Sequence, residues 1–181
     1  RCSRDWSSDV CSSDLCMTTA VFPGSFDPPT YGHLNIIERA SRLFDKIDVL
    51  ISVNPDKKCL FSDKERYDLL IKLTENYKNV TVHIWNTLVA DYCRKSGANV
   101  LIRGVRNAMD FSHEFDLSLM NKHLNSDVET LLIPTAQKYF LVRSSSIKEV
   151  ARFGGDISTM VPKLVEIEMR KKFFEQNSVS K

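Results

Sequence analysis

Short runs of apolar and β-branched residues alternate along the chain with longer amphipathic segments. Five runs have the length and composition of buried strands, namely TAVFPG at 19–24, KIDVLISVN at 46–54, VTVHIW at 80–85, NVLIRG at 99–104 and VETLLIP at 128–134. Helical patterns occupy about 32–44, 63–76, 88–96 and 111–124, and two more follow at about 146–153 and 162–175. The order predicts strands and helices in strict alternation.

This alternation predicts an α/β fold with a doubly wound, five-stranded parallel sheet. Parallel neighbours need a crossover connection, and an interleaved helix supplies one. Ser62 and Glu65 have the spacing of a capping box at a helix start. Ser146 and Glu149 repeat that spacing later, and Gly97 falls where the third helix should end. Ligands of such sheets bind beyond the carboxyl ends of the strands, so the residues after each strand are the site candidates.

Composition indicates one globular domain preceded by unrelated residues. The chain has 181 residues, of which 43% are hydrophobic and 27% charged, and we expect a single domain at 17–181. Residues 1–16, RCSRDWSSDVCSSDLC, show no apolar periodicity and lack the apolar run of a secretory signal. We therefore expect them to be a non-native extension from cloning or translation, with the natural start at Met17.

Charge and cysteine usage argue against several classes of function. The formal net charge of +2 is too small to favour general nucleic-acid binding. Three of the five cysteines lie within residues 1–16, and Cys59 and Cys93 have no ligand-like spacing, so neither a zinc site nor a disulfide framework is expected. No apolar stretch approaches the roughly 20 residues that cross a bilayer, and we expect a cytoplasmic protein.

The stretch after the first predicted strand, PGSFDPPTYGH at 23–33, has the residues of a phosphate pocket. Gly24 allows close approach of the backbone, and Ser25 offers a hydroxyl group. His33 lies at the start of a helix, where amide groups and the helix dipole favour anions. A proline-rich turn with a capping residue would explain the same stretch without any ligand, so this stretch alone leaves both interpretations open.

Three further strand ends also carry phosphate donors. Lys57 and Lys58 follow the second strand, and the fourth runs directly into Arg103 and Arg106. Guanidinium groups suit phosphate because they donate two parallel hydrogen bonds. A serine cluster at 144–146 follows the fifth strand at another helix start. Because the carboxyl ends of parallel strands meet at one edge, these four positions together predict a nucleotide site.

The candidate side chains favour a reaction with an anionic transition state. Nearly all are cationic donors with no obvious nucleophile among them, namely His33, Lys57, Arg103 and Arg106. The chain has no G-x-G-x-x-G after its first strand and no G-x-x-x-x-G-K-[ST] anywhere. These absences argue against dinucleotide dehydrogenases and P-loop NTPases.

Two motifs resemble those of the nucleotidyltransferase superfamily. Thr30-x-Gly32-His33 is similar to its T/H-x-G-H motif, and the serine cluster is similar to I-S-S-[ST]-x-x-[RK]. Residues 23–33, the Lys57 loop and LIRGVR at 101–106 resemble bacterial phosphopantetheine adenylyltransferases, and the resemblance covers residues 17 to about 170. It implies a Rossmann-like fold and direct in-line adenylyl transfer from ATP to 4′-phosphopantetheine, without a covalent intermediate. The products would be dephospho-coenzyme A and pyrophosphate, in coenzyme A biosynthesis.

The resemblance also implies roles for individual residues. His33, Lys57 and Arg106 would act in catalysis at the α-phosphorus. Phosphopantetheine would be bound by Ser25, Lys57, Val89 and Arg103. ATP would be bound by Ser25, Phe26, His33, Gly104, Val105, Arg106, Glu114, Tyr139, Phe140, Leu141, Val142, Arg143, Ser144 and Ser145. The family uses Mg²⁺ held mainly by the ATP phosphates, with no metal-ligating residue expected, and usually forms homohexamers; neither nucleic acid nor membrane is an expected partner.

Two departures and two alternatives accompany this interpretation. Arg143 stands where the motif has its first serine, and Thr87 where some relatives carry an acid. One alternative is a nucleotidyltransferase for another phosphorylated acceptor, such as nicotinate mononucleotide or glycerol 3-phosphate, although Thr30 and LIRGVR argue against it. The other is a catalytically silent nucleotide-binding regulator, against which the intact donors His33, Lys57 and Arg106 argue.

Overall fold

A computed structural model describes residues 17–179 and forms a parallel sheet flanked by helices; residues 1–16, expected to be non-native, lie outside this range. The strands are β1 (Thr19–Gly24), β2 (Lys46–Ser52), β3 (Val80–Trp85), β4 (Val100–Val105) and β5 (Glu129–Pro134). The helices are α1 (Tyr31–Ser41), α2 (Asp63–Thr74), α3 (Val89–Ser96), α4 (Ala108–Leu124), α5 (Ser144–Arg152) and α6 (Lys163–Val179). Each was predicted to within a few residues, whereas the 3₁₀ helix at Gln137–Tyr139 was not.

The sheet has the order β3-β2-β1-β4-β5 with every pair parallel, which confirms the predicted doubly wound α/β fold. The order reverses between the central strands β1 and β4, and such a switch point is where open sheets form a ligand crevice. The register of β1 with β4 covers two residue pairs, Ala20 with Val100 and Val21 with Leu101. Both strands continue beyond those pairs, so the crevice opens where their regular pairing ends.

Helices cover both faces of the sheet, which explains why the strands appear as nearly continuous apolar runs. One core cluster includes Phe22, Val49 and Ile102 from the strands with Ile36 and Ile37 from α1, all at most 5% exposed. A second cluster on the other face joins strand residues at alternate positions to α3, and it includes Val21, Leu50, Leu101, Tyr92 and Cys93. The central strands are therefore fixed from both sides, and their carboxyl ends form a rigid platform.

Helix ends follow the predicted signals at two positions and depart from them at a third. Ser62 accepts a hydrogen bond from the Glu65 amide in a complete capping box, and Gly97 ends α3 in the left-handed region at φ 73°. The predicted start of α5 at Ser146 is wrong, because the helix begins at Ser144. The Ile147 amide donates to the Arg143 carbonyl at 2.9 Å, so the helical hydrogen bonds start earlier, beside a buried Ile147.

The lengths and hydropathy of the helices also bear on membranes. Across residues 17–179, none of the helices combines the length and the apolar character needed to cross a bilayer.

Candidate active site

A cavity of about 480 Å³ opens at the carboxyl edge of the sheet, where β1 and β4 part. It brings together residues from all four of the predicted strand ends. The predicted site residues that line it are Ser25, Phe26, His33, Lys57, Arg103, Gly104, Arg106, Glu114, Val142, Arg143, Ser144 and Ser145. Residues separated by more than a hundred positions therefore meet in one pocket of a size suited to a small ligand.

Five predicted contact residues lie outside this lining. Val105 is buried in the sheet and Val89 packs beside the α3 cluster. The other three belong to the 3₁₀ helix and the turn after it: Tyr139 stacks on Tyr31 with centroids 6.1 Å apart, while Phe140 and Leu141 are 46% and 81% exposed. Their proposed contacts with substrates stay predictions.

His33 is held by the turn that starts α1. Thr30 is the N-cap, and its side chain accepts a hydrogen bond from the His33 amide. In return, the Thr30 amide donates to Nδ1 of His33 at 3.1 Å. Because Nδ1 accepts this hydrogen bond, a neutral imidazole must carry its proton on Nε2. The capping box therefore fixes both the direction of the ring and the nitrogen that can donate a hydrogen bond.

The surroundings of His33 keep its ring neutral at physiological pH. Burial among protein atoms, and then the positive charge of Arg106, lower the pKa of His33 from 6.5 to about 4. The Phe26 ring packs edge-on against the imidazole with centroids 5.0 Å apart. Phe26 is 1% exposed and adopts φ 46°, so its ring belongs to the core, and its unusual backbone is stabilised by packing.

Gly24 makes room for that ring. A Cβ atom at position 24 would lie 3.1 Å from Cε2 and Cζ of Phe26, which is closer than side chains normally approach. The glycine predicted to allow close backbone approach therefore also has a packing function. It allows Phe26 to reach the imidazole of His33.

Lys57 reaches the cavity from the loop between β2 and α2. Its ammonium group donates to Oγ of Ser25 at 3.0 Å. The carbonyl of Ser25 in turn accepts a hydrogen bond of 2.6 Å from the guanidinium of Arg66, a side chain only 2% exposed. Arg66 is also paired with Asp63, and its Nε is buried without a partner. Sequence reasoning missed Arg66, because an arginine inside a helical pattern normally indicates a solvated face.

Arg103 fills the gap that opens between β1 and β4. It forms a two-pronged ion pair with Glu114 of α4, with N–O distances of 2.5 and 2.7 Å. Nη1 of the same guanidinium donates to the Pro23 carbonyl at 2.8 Å. Pro23 lies beyond the last paired residues of β1 and β4. Arg103 therefore replaces a missing strand contact, and it also lines the cavity.

Arg106 is positioned in a similar way from the end of β4. Its Nε donates to Asp110 Oδ2 at 2.7 Å, and its Nη1 donates to the Val142 carbonyl at 3.2 Å. The sequence predicted both arginines as phosphate donors but gave no indication of these partners. The ion pairs fix the orientation of each guanidinium before any ligand binds.

Two further charged residues line the cavity that the sequence did not single out, Asp27 and Lys148. They form an ion pair at 2.7 Å, in which the Asp27 side chain is fully buried and Lys148 is 22% exposed. The sequence could have indicated both residues. Asp27 belongs to the 23–33 stretch, and Lys148 is the last position of the serine-cluster motif. The lining holds five cationic residues against two acids, which leaves a positive excess.

The acids of the cavity are poor candidates for metal ligands. Asp27 and Glu114 each accept hydrogen bonds from cationic side chains of the same chain. Among residues 17–179, no group of three or more His, Cys, Asp or Glu side chains is placed to hold a metal ion. The described residues therefore do not form the oxygen-rich shell that a resident Mg²⁺ requires.

Comparisons with known proteins agree with this architecture. The family model described as cytidylyltransferase-like matches residues 21–150. The phosphopantetheine adenylyltransferase of Caldanaerobacter subterraneus subsp. tengcongensis is 45% identical over 157 residues, covering 87% of this chain and 98% of that protein. The protein of the same name from Clostridium tetani is 48% identical over 156 residues, covering 86% and 98%.

A solved structure provides a further comparison at the level of the fold. Plasmodium falciparum nicotinic acid mononucleotide adenylyltransferase, complexed with NaAD, superposes with a TM-score of 0.62 and 16% sequence identity. The match covers 89% of this chain and 96% of that chain. At this identity the likeness concerns the arrangement of strands and helices alone.

Proposed function

The chain belongs to the phosphopantetheine adenylyltransferase family of cytidylyltransferase-like proteins, and on this premise we propose that it transfers adenylyl from ATP to 4′-phosphopantetheine. The products are dephospho-coenzyme A and pyrophosphate. The observation that carries the proposal is the neutral, Nε2-protonated His33 in a cavity with a cationic excess. This arrangement suits a reaction in which negative charge moves between phosphate oxygens.

The reaction is a direct displacement at the α-phosphorus of ATP. An oxygen of the acceptor phosphate forms the new P–O bond, and the bond between the α-phosphorus and the bridging oxygen to the β-phosphate breaks. The bonding electron pair leaves with pyrophosphate. The acceptor phosphate is already ionised at neutral pH, so no general base is required. Catalysis therefore depends on positioning and on donors directed at the phosphate oxygens.

His33 acts in this mechanism as a hydrogen-bond donor. The Thr30 amide occupies Nδ1, which leaves the Nε2–H group to donate to oxygens of the α-phosphate. The lowered pKa of His33 keeps the ring in this single tautomer, instead of a mixture of neutral and charged forms. A donor fixed in advance stabilises the developing charge without reorganisation during the reaction.

The basic residues divide between the two substrates. We assign Lys57, Ser25 and Arg103 to the phosphate of phosphopantetheine, because Lys57 already contacts Ser25 and all three line one cavity. Arg106 and the serines at the start of α5 are assigned to ATP, because Arg106 is anchored to Val142 just before those serines. Lys57 and Arg106 then act as electrostatic stabilisers of the charge at the α-phosphorus.

Magnesium enters this reaction as part of the substrate. The cavity acids are already paired with cations of the chain, so MgATP brings the ion on its own phosphate oxygens. The hard cation neutralises charge on the leaving pyrophosphate.

We also propose that the protein acts as a homohexamer in the cytoplasm. Helix α4 has no buried residue along its 17 positions, and its apolar side chains Phe111, Phe115 and Leu119 are about half exposed. Such a row of exposed apolar residues is typical of a subunit interface. The unpaired thiols Cys59 and Cys93 fit a reducing compartment.

The substrate assignment is tested by pyrophosphate release from MgATP with three acceptors, 4′-phosphopantetheine, nicotinate mononucleotide and glycerol 3-phosphate. We expect turnover with phosphopantetheine alone. Turnover only with another acceptor would agree with adenylyl transfer but contradict the assignment of phosphopantetheine as the acceptor. ATP binding without turnover on any acceptor would instead support the nucleotide-binding regulator.

A further inference from the structure

The carboxylate of Asp27 is completely enclosed and fully hydrogen-bonded. Its side chain has 0% exposure, although the residue borders the cavity. The backbone amides of Leu60 and Phe61 each donate to it, at 3.0 to 3.1 Å. The ammonium group of Lys148 donates to Oδ2 at 2.7 Å. A buried charge is tolerated only with such compensation, and here every donor comes from a distant part of the chain.

These donors belong to two different walls of the cavity. Leu60 and Phe61 end the loop that carries Lys57 and immediately precede the N-cap of α2. Lys148 lies in α5, whose first residues Ser144 and Ser145 line the cavity. A further contact joins α5 to the residue after Asp27, because the Ser144 hydroxyl donates to the Pro28 carbonyl at 3.2 Å.

We propose that Asp27 is a positioning residue, which ties the Lys57 loop and helix α5 together and directs Lys148 at bound phosphates. The inference rests on the proposed adenylyl transfer. Lys148 lines the cavity and has three N–H donors, of which Asp27 takes one. Asp27 fixes the ammonium group beside the cavity while its own charge remains out of contact with the substrate. It thereby sets the spacing between the two substrate-binding walls.

Two direct roles for Asp27 fit the geometry less well. A magnesium ligand needs an oxygen that faces the bound metal, but both oxygens of Asp27 accept hydrogen bonds from the chain. A general base needs access to the acceptor, and the Asp27 side chain is fully buried. These roles nevertheless predict different responses to mutation, so the experiment separates them.

The first test is a double-mutant cycle with Asp27→Asn and Lys148→Met. Asparagine keeps the shape of Asp27 but removes its charge. It also replaces one carboxylate oxygen with an NH₂ group, which cannot accept a hydrogen bond from Lys148 or from the backbone amides. We expect kcat/KM to fall about 100-fold in Asp27→Asn, since small displacements of a reacting group have effects of this size. Adding Lys148→Met should cost less than about threefold more, because both changes break one unit. Glu149→Gln, an exposed neighbour on α5, is the matched control and should retain wild-type activity.

Three outcomes would overturn the proposal. Wild-type kcat/KM in Asp27→Asn would show that the tie is unnecessary. Losses that multiply in the double variant would show that Asp27 and Lys148 act independently. A more than tenfold rise in the free Mg²⁺ concentration needed for half-maximal activity, in Asp27→Asn alone, would assign Asp27 to the metal.

A second measurement does not depend on the identity of the acceptor. Amide hydrogen exchange of the substrate-free protein should be at least tenfold faster at Leu60 and Phe61 in Asp27→Asn, with exchange at Val21 in β1 unchanged. Unchanged exchange at Leu60 and Phe61 would contradict the proposed link between Asp27 and the Lys57 loop, even if phosphopantetheine proved not to be the acceptor. Conversely, faster exchange without turnover on phosphopantetheine would contradict only the assignment of phosphopantetheine as the acceptor, and the role of Asp27 would stand.

A third comparison applies if Asp27→Asn does not fold. Calorimetric titration with MgATP should then show at least tenfold weaker binding to Lys148→Met than to wild type. Lys148→Arg should bind ATP within about threefold of wild type, because a guanidinium can still donate to Asp27 and to a phosphate. Equal loss in both variants would contradict the pairing.

Discussion

The capping box of α1 determines the tautomer of the neutral His33 imidazole. The Thr30 side chain accepts a hydrogen bond from the His33 amide, and the Thr30 amide donates to the His33 side chain. A motif that ordinarily stabilises a helix start therefore also selects the Nε2–H tautomer. The sequence predicted His33 as a phosphate donor. It could not predict the tautomer, because that depends on the N-cap backbone bond.

We predict that His33 stays neutral in the substrate-free protein far below the usual range of histidine. Its pKa of about 4, lowered by burial and by Arg106, lies below the unfolded value of 6.5. Nitrogen NMR should show an Nε2–H imidazole for His33 from pH 7 to 5. The unfolded chain binds the proton more tightly, so His33 should reduce stability as the pH falls from 6.5 toward 4. Titration of His33 near pH 6.5 would contradict this account.

A buried arginine behind Ser25 gives a second prediction at this scale. Arg66→Met removes the donor to the Ser25 carbonyl and leaves that group and Asp63 without their partner. We expect a loss of about 2 kcal/mol in the free energy of unfolding, a typical value for a lost hydrogen bond to a charged group. KM for phosphopantetheine should rise as well, because Ser25 contacts Lys57. Arg66→Lys should recover part of both losses, and a fully stable, fully active Arg66→Met would refute the role.

Local sequence patterns identified many of the site residues but not their partners. Arg103 and Arg106 were predicted as phosphate donors, and the structure places both in the cavity. Their pairing with Glu114 and Asp110 depends on how α4 lies across the sheet. The ion pair of Asp27 with Lys148 joins residues 121 positions apart, so periodicity could not reveal it.

Helices that carry the site begin in two different ways. Helices α1 and α2 have complete capping boxes, whereas the N-cap residue of α5, Arg143, provides no side-chain hydrogen bond. The sequence signal was correct at Ser62 because the reciprocal Glu65 is present at N3. It was wrong at Ser146, where burial of Ile147 and the bond to the Arg143 carbonyl extend the helix backwards.

The capping box of α2 can be tested through stability. Ser62→Ala removes the acceptor for the Glu65 amide and should lower the free energy of unfolding by about 1 kcal/mol. Ser118→Ala is the matched control, because this partly exposed serine lies inside α4, where alanine is the better helix former. Urea unfolding at one fixed protein concentration measures both. Equal effects of the two substitutions would show that the cap contributes nothing specific.

The whole molecule places its cavity at the switch point of the sheet. This location followed from the alternation of strands and helices, which could be predicted because the apolar runs are short and cleanly bounded. The parting of β1 from β4 after Val21 and Leu101 could not be predicted, since it depends on long-range packing. Arg103 fills that opening by binding Glu114 and the Pro23 carbonyl.

The exposed face of α4 leads to a prediction about assembly. Leu119→Glu introduces a charge into the row formed with Phe111 and Phe115, so we expect light scattering to show hexamers dissociating into smaller species. Phe153→Glu is the control, because Phe153 is 82% exposed and caps the end of α5, so it is not part of α4. A monomeric wild type, or a hexameric Leu119→Glu, would contradict the proposed interface.

The central claim is that the neutral His33 donor promotes adenylyl transfer to phosphopantetheine. Its most direct test quantifies dephospho-coenzyme A and pyrophosphate formed from MgATP and 4′-phosphopantetheine by the wild type and by His33→Ala. We predict equal amounts of the two products, a kcat reduced by about 10² to 10³ in His33→Ala, and ATP affinity within a few-fold of wild type. Absence of dephospho-coenzyme A, or wild-type kcat in His33→Ala, would contradict the account.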